Sequence, residues 1–141
     1  MARLNHVGLT VSDVERSVEF YTEVVGFEVF SRRRLGGGWF DTLTEHPDHA
    51  ELDVVMLRLG DMVLQLVQYV EGGDGALALD HHRVGSPHLC IDVDDVLMCL
   101  AAAQARTGLR VGPLIDAGEL GFRSFYVRDP DGVPVELLQR G

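Results

Sequence analysis

The chain opens on a clean alternation. In "LNHVGLTV", residues 4–11, Val7, Leu9 and Val11 fall on one face of an extended strand, and Leu4, His6, Gly8 and Thr10 on the other. The spacing then turns helical. "SDVERSVEFYTEVVGF" starts with Ser12 and has Glu15 three residues on, a capping-box pattern; Val14, Val18, Tyr21 and Val25 share one face, and Gly26 is placed to end the helix in the left-handed conformation. Three strand-like segments follow at 27–33, 52–60 and 62–70, the last two joined by the turn signal "GD". The first half therefore reads βαβββ.

The second half repeats the plan. Asp94 and Asp95 signal a helix start, Val96, Leu100 and Ala103 share a face, and Gly108 is the stop. Strand patterns follow at 109–115, 122–128 and 133–139, with "DPDG" as the hairpin turn between the last two. His6 and His88, Val11 and Val93, Asp13 and Asp95, and Gly26 and Gly108 are all 82 positions apart, which marks an internal duplication. The closing strands, "VLQLVQ" and "PVELLQ", are instead 71 apart. The first half is longer by the difference, which falls in residues 32–51, a polar, glycine-rich stretch expected to be a long loop of the lid or binding type. The expected organisation is a first module at 1–70, a linker at 71–85 carrying His81, His82 and Arg83, and a second module at 86–141, together forming one α+β domain.

Composition narrows the function. With 141 residues and 46% hydrophobic content, an ordinary core is within reach, and no apolar run is long enough to cross a bilayer. The start of the chain lacks a signal-peptide pattern, so a soluble, cytoplasmic protein is expected. A net charge of −10 argues against nucleic acid as a partner. All 12 basic residues are arginine, which excludes Schiff-base lysine chemistry and a P-loop. No G-x-S-x-G elbow is present. Cys90 and Cys99 have neither the spacing of a zinc site nor a disulfide framework, and both read as buried thiols.

Candidate chemistry comes from the repeat. His6 and His88 occupy equivalent places on the less apolar faces of their strands, and the alignment of the closing strands sets Gln65 against Glu136. Two imidazoles, an amide and a carboxylate suit a divalent ion with open water positions, and lack the thiolates of structural zinc. Duplication would equally copy two structural histidines. Glu136 is the stronger signal, because an ionised carboxylate in an apolar strand is costly to bury without a counter-charge.

The segments "NHVGLTVSDVERSVEFYTEVVGFEV", "LRLGDMVLQLVQY", "PHLCIDVDDV" and "FYVRDPDGVPVELLQ" resemble the vicinal oxygen chelate superfamily, the glyoxalase, bleomycin resistance protein and dioxygenase family, over essentially the whole chain. The resemblance implies paired βαβββ modules whose curled sheets form a cleft with helices outside. It also implies one divalent metal ion (Ni, Co, Mn, Mg, Zn or Fe) held by His6, Gln65, His88 and Glu136. The ligand set is similar to that of the glyoxalase I and epimerase branch, although Gln65 stands where bacterial glyoxalase I usually has glutamate. The implied activity is that of a lyase or isomerase, in which a metal polarises vicinal oxygens of a small carbonyl or thioester substrate and stabilises an enediolate or enolate. Glu136 is the candidate catalytic base, with Asp41, Glu45 and His46 of the long loop as alternatives. Tyr69, Ser124 and Tyr126 are candidate pocket residues by strand parity, and Arg32, in the run Arg32–Arg34, is a candidate grip for an anionic tail. A homodimer is expected from the same resemblance. The competing readings are a metal-free drug- or metabolite-binding protein and an iron extradiol dioxygenase using His6, His88 and Glu136.

Overall fold

The computed structural model describes residues 1–46 and 49–141. The chain divides into two compact units, Met1–Ala76 and Leu77–Gly141. The first holds β1 (Val7–Thr10), α1 (Val14–Phe20), β2 (Glu28–Gly36), α2 (Gly38–Leu43), β3 (Glu51–Leu59) and β4 (Met62–Glu71). Its sheet runs in the order β1-β4-β3-β2. β1 lies parallel to β4, and the remaining pairs are antiparallel.

Each predicted element of this unit is present, with corrections at its ends. The N-cap of α1 is Asp13 rather than Ser12: its carboxylate accepts the amides of Glu15 and Arg16. The helix buries Val14, Val18 and Phe20 and passes into a π turn, Tyr21–Val25, where the Thr22 hydroxyl bonds back to the Val18 carbonyl at 2.8 Å. Gly26 ends it at φ +100°, a conformation that a Cβ would oppose. Tyr21 is fully buried, with Phe20 and Phe27 edge-on to its ring. Leu57, Leu64 and Leu66 supply the sheet side of this core.

Among its described residues, the stretch 32–51 is not the structureless loop its composition suggests. β2 continues through it to Gly36, and α2 follows within two residues. Phe40 of α2 packs with Ala50, Leu52 and Val54, against Leu35, Met56, Val67 and Tyr69. Glycine-rich polarity hid an apolar anchor whose partners lie in two other strands.

The second unit holds β5 (Leu89–Asp92), α3 (Val96–Gln104), β6 (Arg110–Val111), β7 (Ile115–Ala117), β8 (Phe122–Arg128) and β9 (Pro134–Arg140). Its sheet runs β5-β9-β8-β6, with β7 also paired to β8. β5 and β9 are parallel, as β1 and β4 are in the first unit. Asp95 caps α3 by accepting the Met98 amide, and the helix ends at Gln104, short of the expected stop at Gly108. The single strand expected at 109–115 is two short ones. Between them Gly112 still donates to the Tyr126 carbonyl, and Pro113 has no N–H to continue the ladder. At the β8–β9 turn, Asp129 is buried and its carboxylate accepts the amides of Asp131 and Val133.

Candidate metal and substrate site

Strand register carries the site. In the first unit Gly8 of β1 pairs with Gln65 of β4; in the second, Cys90 of β5 pairs with Glu136 of β9. The two pairs are equivalent in the repeat, and each histidine sits two residues before the β1 or β5 member of its pair. Both histidines lie just outside the strands that the sequence pattern put them in, since β1 starts at Val7 and β5 at Leu89.

In the first unit, Gln65 shares a sheet face with Val67 and Tyr69, opposite the face that carries α1. A Cβ added to Gly8 would lie 3.3 Å from the Gln65 Oε1, so the amide oxygen hangs directly over this glycine. The exposed His6 ring donates through Nδ1 to the Asn5 Oδ1 at 2.6 Å. A neutral ring that makes this bond carries its proton on Nδ1 and keeps the Nε2 lone pair for a ligand, as metal-binding histidines require.

In the second unit, Glu136 is the centre of a polar cluster. The Tyr126 hydroxyl donates to its Oε2 at 3.2 Å, and the Cys90 thiol donates to the same carboxylate. The His88 ring stands edge-on to Tyr126 at 6.5 Å between centroids. Partial burial, then the charge and hydrogen bond of Glu136, push the Cys90 thiol up to about 11; the same causes raise Tyr126. Cys90 is exposed as a residue, so the expected buried thiol is corrected here. Cys99 is partly exposed.

The side-chain types fit a divalent ion in their chemistry: imidazole and amide oxygen in the first unit, imidazole and carboxylate oxygen in the second. Among the described residues no three His, Cys, Asp or Glu side chains are gathered at one point. The other expected residues are placed as follows. Tyr69 and Gln65 share a face, while Ser124, buried on β8, shares one with Tyr126 and pairs with Leu138. Arg32 is on the α1 side of its sheet and pairs with Glu15, away from the Gln65 face. Arg34 pairs with Asp53 on that same side. Of the loop candidates, the Asp41 carboxylate accepts the Ala50 amide at 3.0 Å, His46 stacks on Tyr69, and Glu45 adopts φ +55°.

Sequence reasoning missed His81. Residues 79–86 are tied down: Arg128 Nη1 donates to the carbonyls of Leu79 and Gly132, Arg83 pairs with Asp80, and the Ser86 hydroxyl donates to the Asp80 carbonyl. This strap sets the His81 ring edge-on against Tyr126 at 4.7 Å. The available signal was Arg128, which lies on the Tyr126 face of β8 and has no acidic partner in sequence register.

The Glyoxalase/Bleomycin resistance protein/Dioxygenase superfamily model matches residues 3–137, and the chain belongs to that superfamily. It is 30% identical to a 2-epi-5-epi-valiolone epimerase from an Actinomyces species, over 96% of this chain and 78% of that protein. It is 32% identical to the mitochondrial methylmalonyl-CoA epimerase of Bos taurus, over 99% of this chain and 75% of that protein. Among solved structures, a glyoxalase family protein from Bacillus cereus superposes with a TM-score of 0.87, covering 99% of this chain and 95% of that one at 17% identity, which establishes the shared fold. No helix among the described residues is long and apolar enough to cross a membrane.

Proposed function

We propose that the chain is a divalent-metal-dependent isomerase or lyase of the epimerase and glyoxalase I type, moving a proton on the carbon beside a carbonyl of a small substrate. The observation that carries this is the equivalent register of Gly8 with Gln65 and Cys90 with Glu136, a histidine preceding each pair by two residues. His6, Gln65, His88 and Glu136 would hold the ion. Its chemistry there is that of a Lewis acid, polarising the substrate's oxygens and so acidifying the neighbouring C–H.

The chain's own groups handle the proton. Glu136 is the base, and the Tyr126 hydroxyl and Cys90 thiol orient its carboxylate. The epimerases among the relatives support a reaction that removes and returns a proton at one carbon. A small-molecule partner, a homodimer and a cytoplasmic location belong to the same reading.

Elemental analysis and titration with Mn²⁺, Co²⁺ and Ni²⁺ test it, in wild type and in His6→Ala and Glu136→Ala. The expected result is one ion per set of four ligands, with affinity falling at least tenfold in each variant. No divalent ion bound at micromolar concentration by the wild type would reassign the four residues to a metal-free ligand pocket.

A further inference from the structure

A cavity of about 570 Å³ lies wholly within the first unit, at the C-terminal ends of the parallel pair β1 and β4. That volume is in the range of small-molecule sites. Thr10 and Ser12 line it from the end of β1, Tyr69 from β4, and Gly72–Gly75 and His46 close it.

Its walls are built rather than incidental. His46 Nε2 donates to the Gly72 carbonyl at 2.6 Å, and the His46 ring stacks on Tyr69 with centroids 6.0 Å apart and planes 27° from parallel. Gly72 has φ +84°, and a Cβ there would meet the His46 ring and the His49 carbonyl at 3.0 Å; one on Gly73 would meet the Tyr69 Cβ at 3.0 Å. Both positions need glycine for the chain to pass this close to the two rings.

The lining chemistry selects a ligand class. Among the described lining residues none is arginine, the chain has no lysine, and Asp74 contributes a carboxylate. A phosphate or carboxylate would meet repulsion from Asp74, which no arginine among the described lining residues offsets. Asp74 Oδ1 accepts the Gly75 amide at 2.7 Å, which orients the carboxylate, and its capacity for further hydrogen bonds suits donor hydroxyls. The hydroxyls of Thr10, Ser12 and Tyr69 add groups that both donate and accept. The Tyr69 ring, stacked on His46, adds an apolar edge to the wall.

We propose that this cavity binds a neutral, polyhydroxylated ring. Tyr69 and Thr10 lie on the sheet face of Gln65, and four residues of strand, roughly 13 Å, separate Tyr69 from Gln65. The bound ring is therefore the part of the substrate remote from the reacting carbon, an assignment that rests on the proposed reaction, whereas the binding itself does not.

Saturation-transfer NMR on the full chain, with chelator present, tests the binding with myo-inositol, scyllo-inositol and D-glucose, beside coenzyme A as the phosphate-bearing control. Saturable binding of at least one polyol is expected, with none of coenzyme A at this site. Affinity should fall at least tenfold in Asp74→Asn and in Tyr69→Ala, hold within about threefold in Tyr69→Phe, which keeps the ring, and be unchanged in His6→Ala. Absence of binding by all three polyols, or binding indifferent to Asp74→Asn and Tyr69→Ala, overturns the proposal. Because the chelator removes any metal from the binding test, a failed metal titration with intact polyol binding would defeat only the proposed reaction, and the reverse pattern only this inference.

Discussion

Two glutamines show how closely the duplicated halves share their physics. Gln68 Oε1 accepts the Val14 amide at 2.8 Å, and Gln139 Oε1 accepts the Val96 amide at 3.1 Å, so the closing strand of each unit satisfies a free donor at the start of its helix. The sequence repeat aligned these glutamines, yet nothing in periodicity said what they touch. Gln139→Ala leaves a part-buried amide without its partner and removes an acceptor of Arg123, so a loss of about 1–2 kcal/mol is expected in urea denaturation. A second expectation follows from Cys90, whose folded pKa is raised to about 11. In the unfolded chain an ordinary thiol ionises near 8.5, roughly. The stabilisation from the protonated thiol is thus complete below about pH 8.5 and is lost as the pH rises to about 11. In chelator-treated protein, the urea midpoint of wild type should fall relative to Cys90→Ser between these limits, and a constant difference across the window would contradict the assignment.

At the scale of elements, α2 is the piece that composition concealed. Phe40, half of an aromatic pair with Trp39, is buried on the face that carries Gln65 and Tyr69, while Trp39 is 63% exposed. Phe40→Ala should cost about 3 kcal/mol, because losing the buried ring leaves a cavity between α2 and the sheet. The same variant should raise the proteolytic sensitivity of residues 37–46 before the rest of the chain, read by limited digestion and mass spectrometry. Most elements were legible because their faces obey period 2 or 3.6: the alternation of β1, the α1 stripe and the β3–β4 and β8–β9 hairpins all lie where the pattern put them. The misses have local causes. Asp13 outcompeted Ser12 as a cap, Pro113 interrupted one strand, and most partners of Phe40 lie in β3 and β4, beyond a local window.

At the scale of the whole molecule, the site was legible as residue types and illegible as contacts. The 82- and 71-residue offsets singled out His6, His88, Gln65 and Glu136, and the register of β1 with β4 and β5 with β9 repeats that equivalence in three dimensions. The contacts of Glu136 with Tyr126 and Cys90, and of Tyr126 with His81, required the folded chain. The proposed ligand set takes two residues from each unit, so ion binding is linked to the folding of both. An ion that binds only the folded chain stabilises it by about 2.7 kcal/mol at one hundred times its dissociation constant. Mn²⁺ at that excess should therefore raise the melting temperature of the wild type, and both tryptophan fluorescence, which reports Trp39 in the first unit, and tyrosine absorbance, which includes Tyr126 in the second, should move together. His6→Ala and Glu136→Ala alter different units, yet each should abolish the shift in both signals. A variant that loses the shift in one signal and keeps it in the other would mean that the two halves bind ions separately.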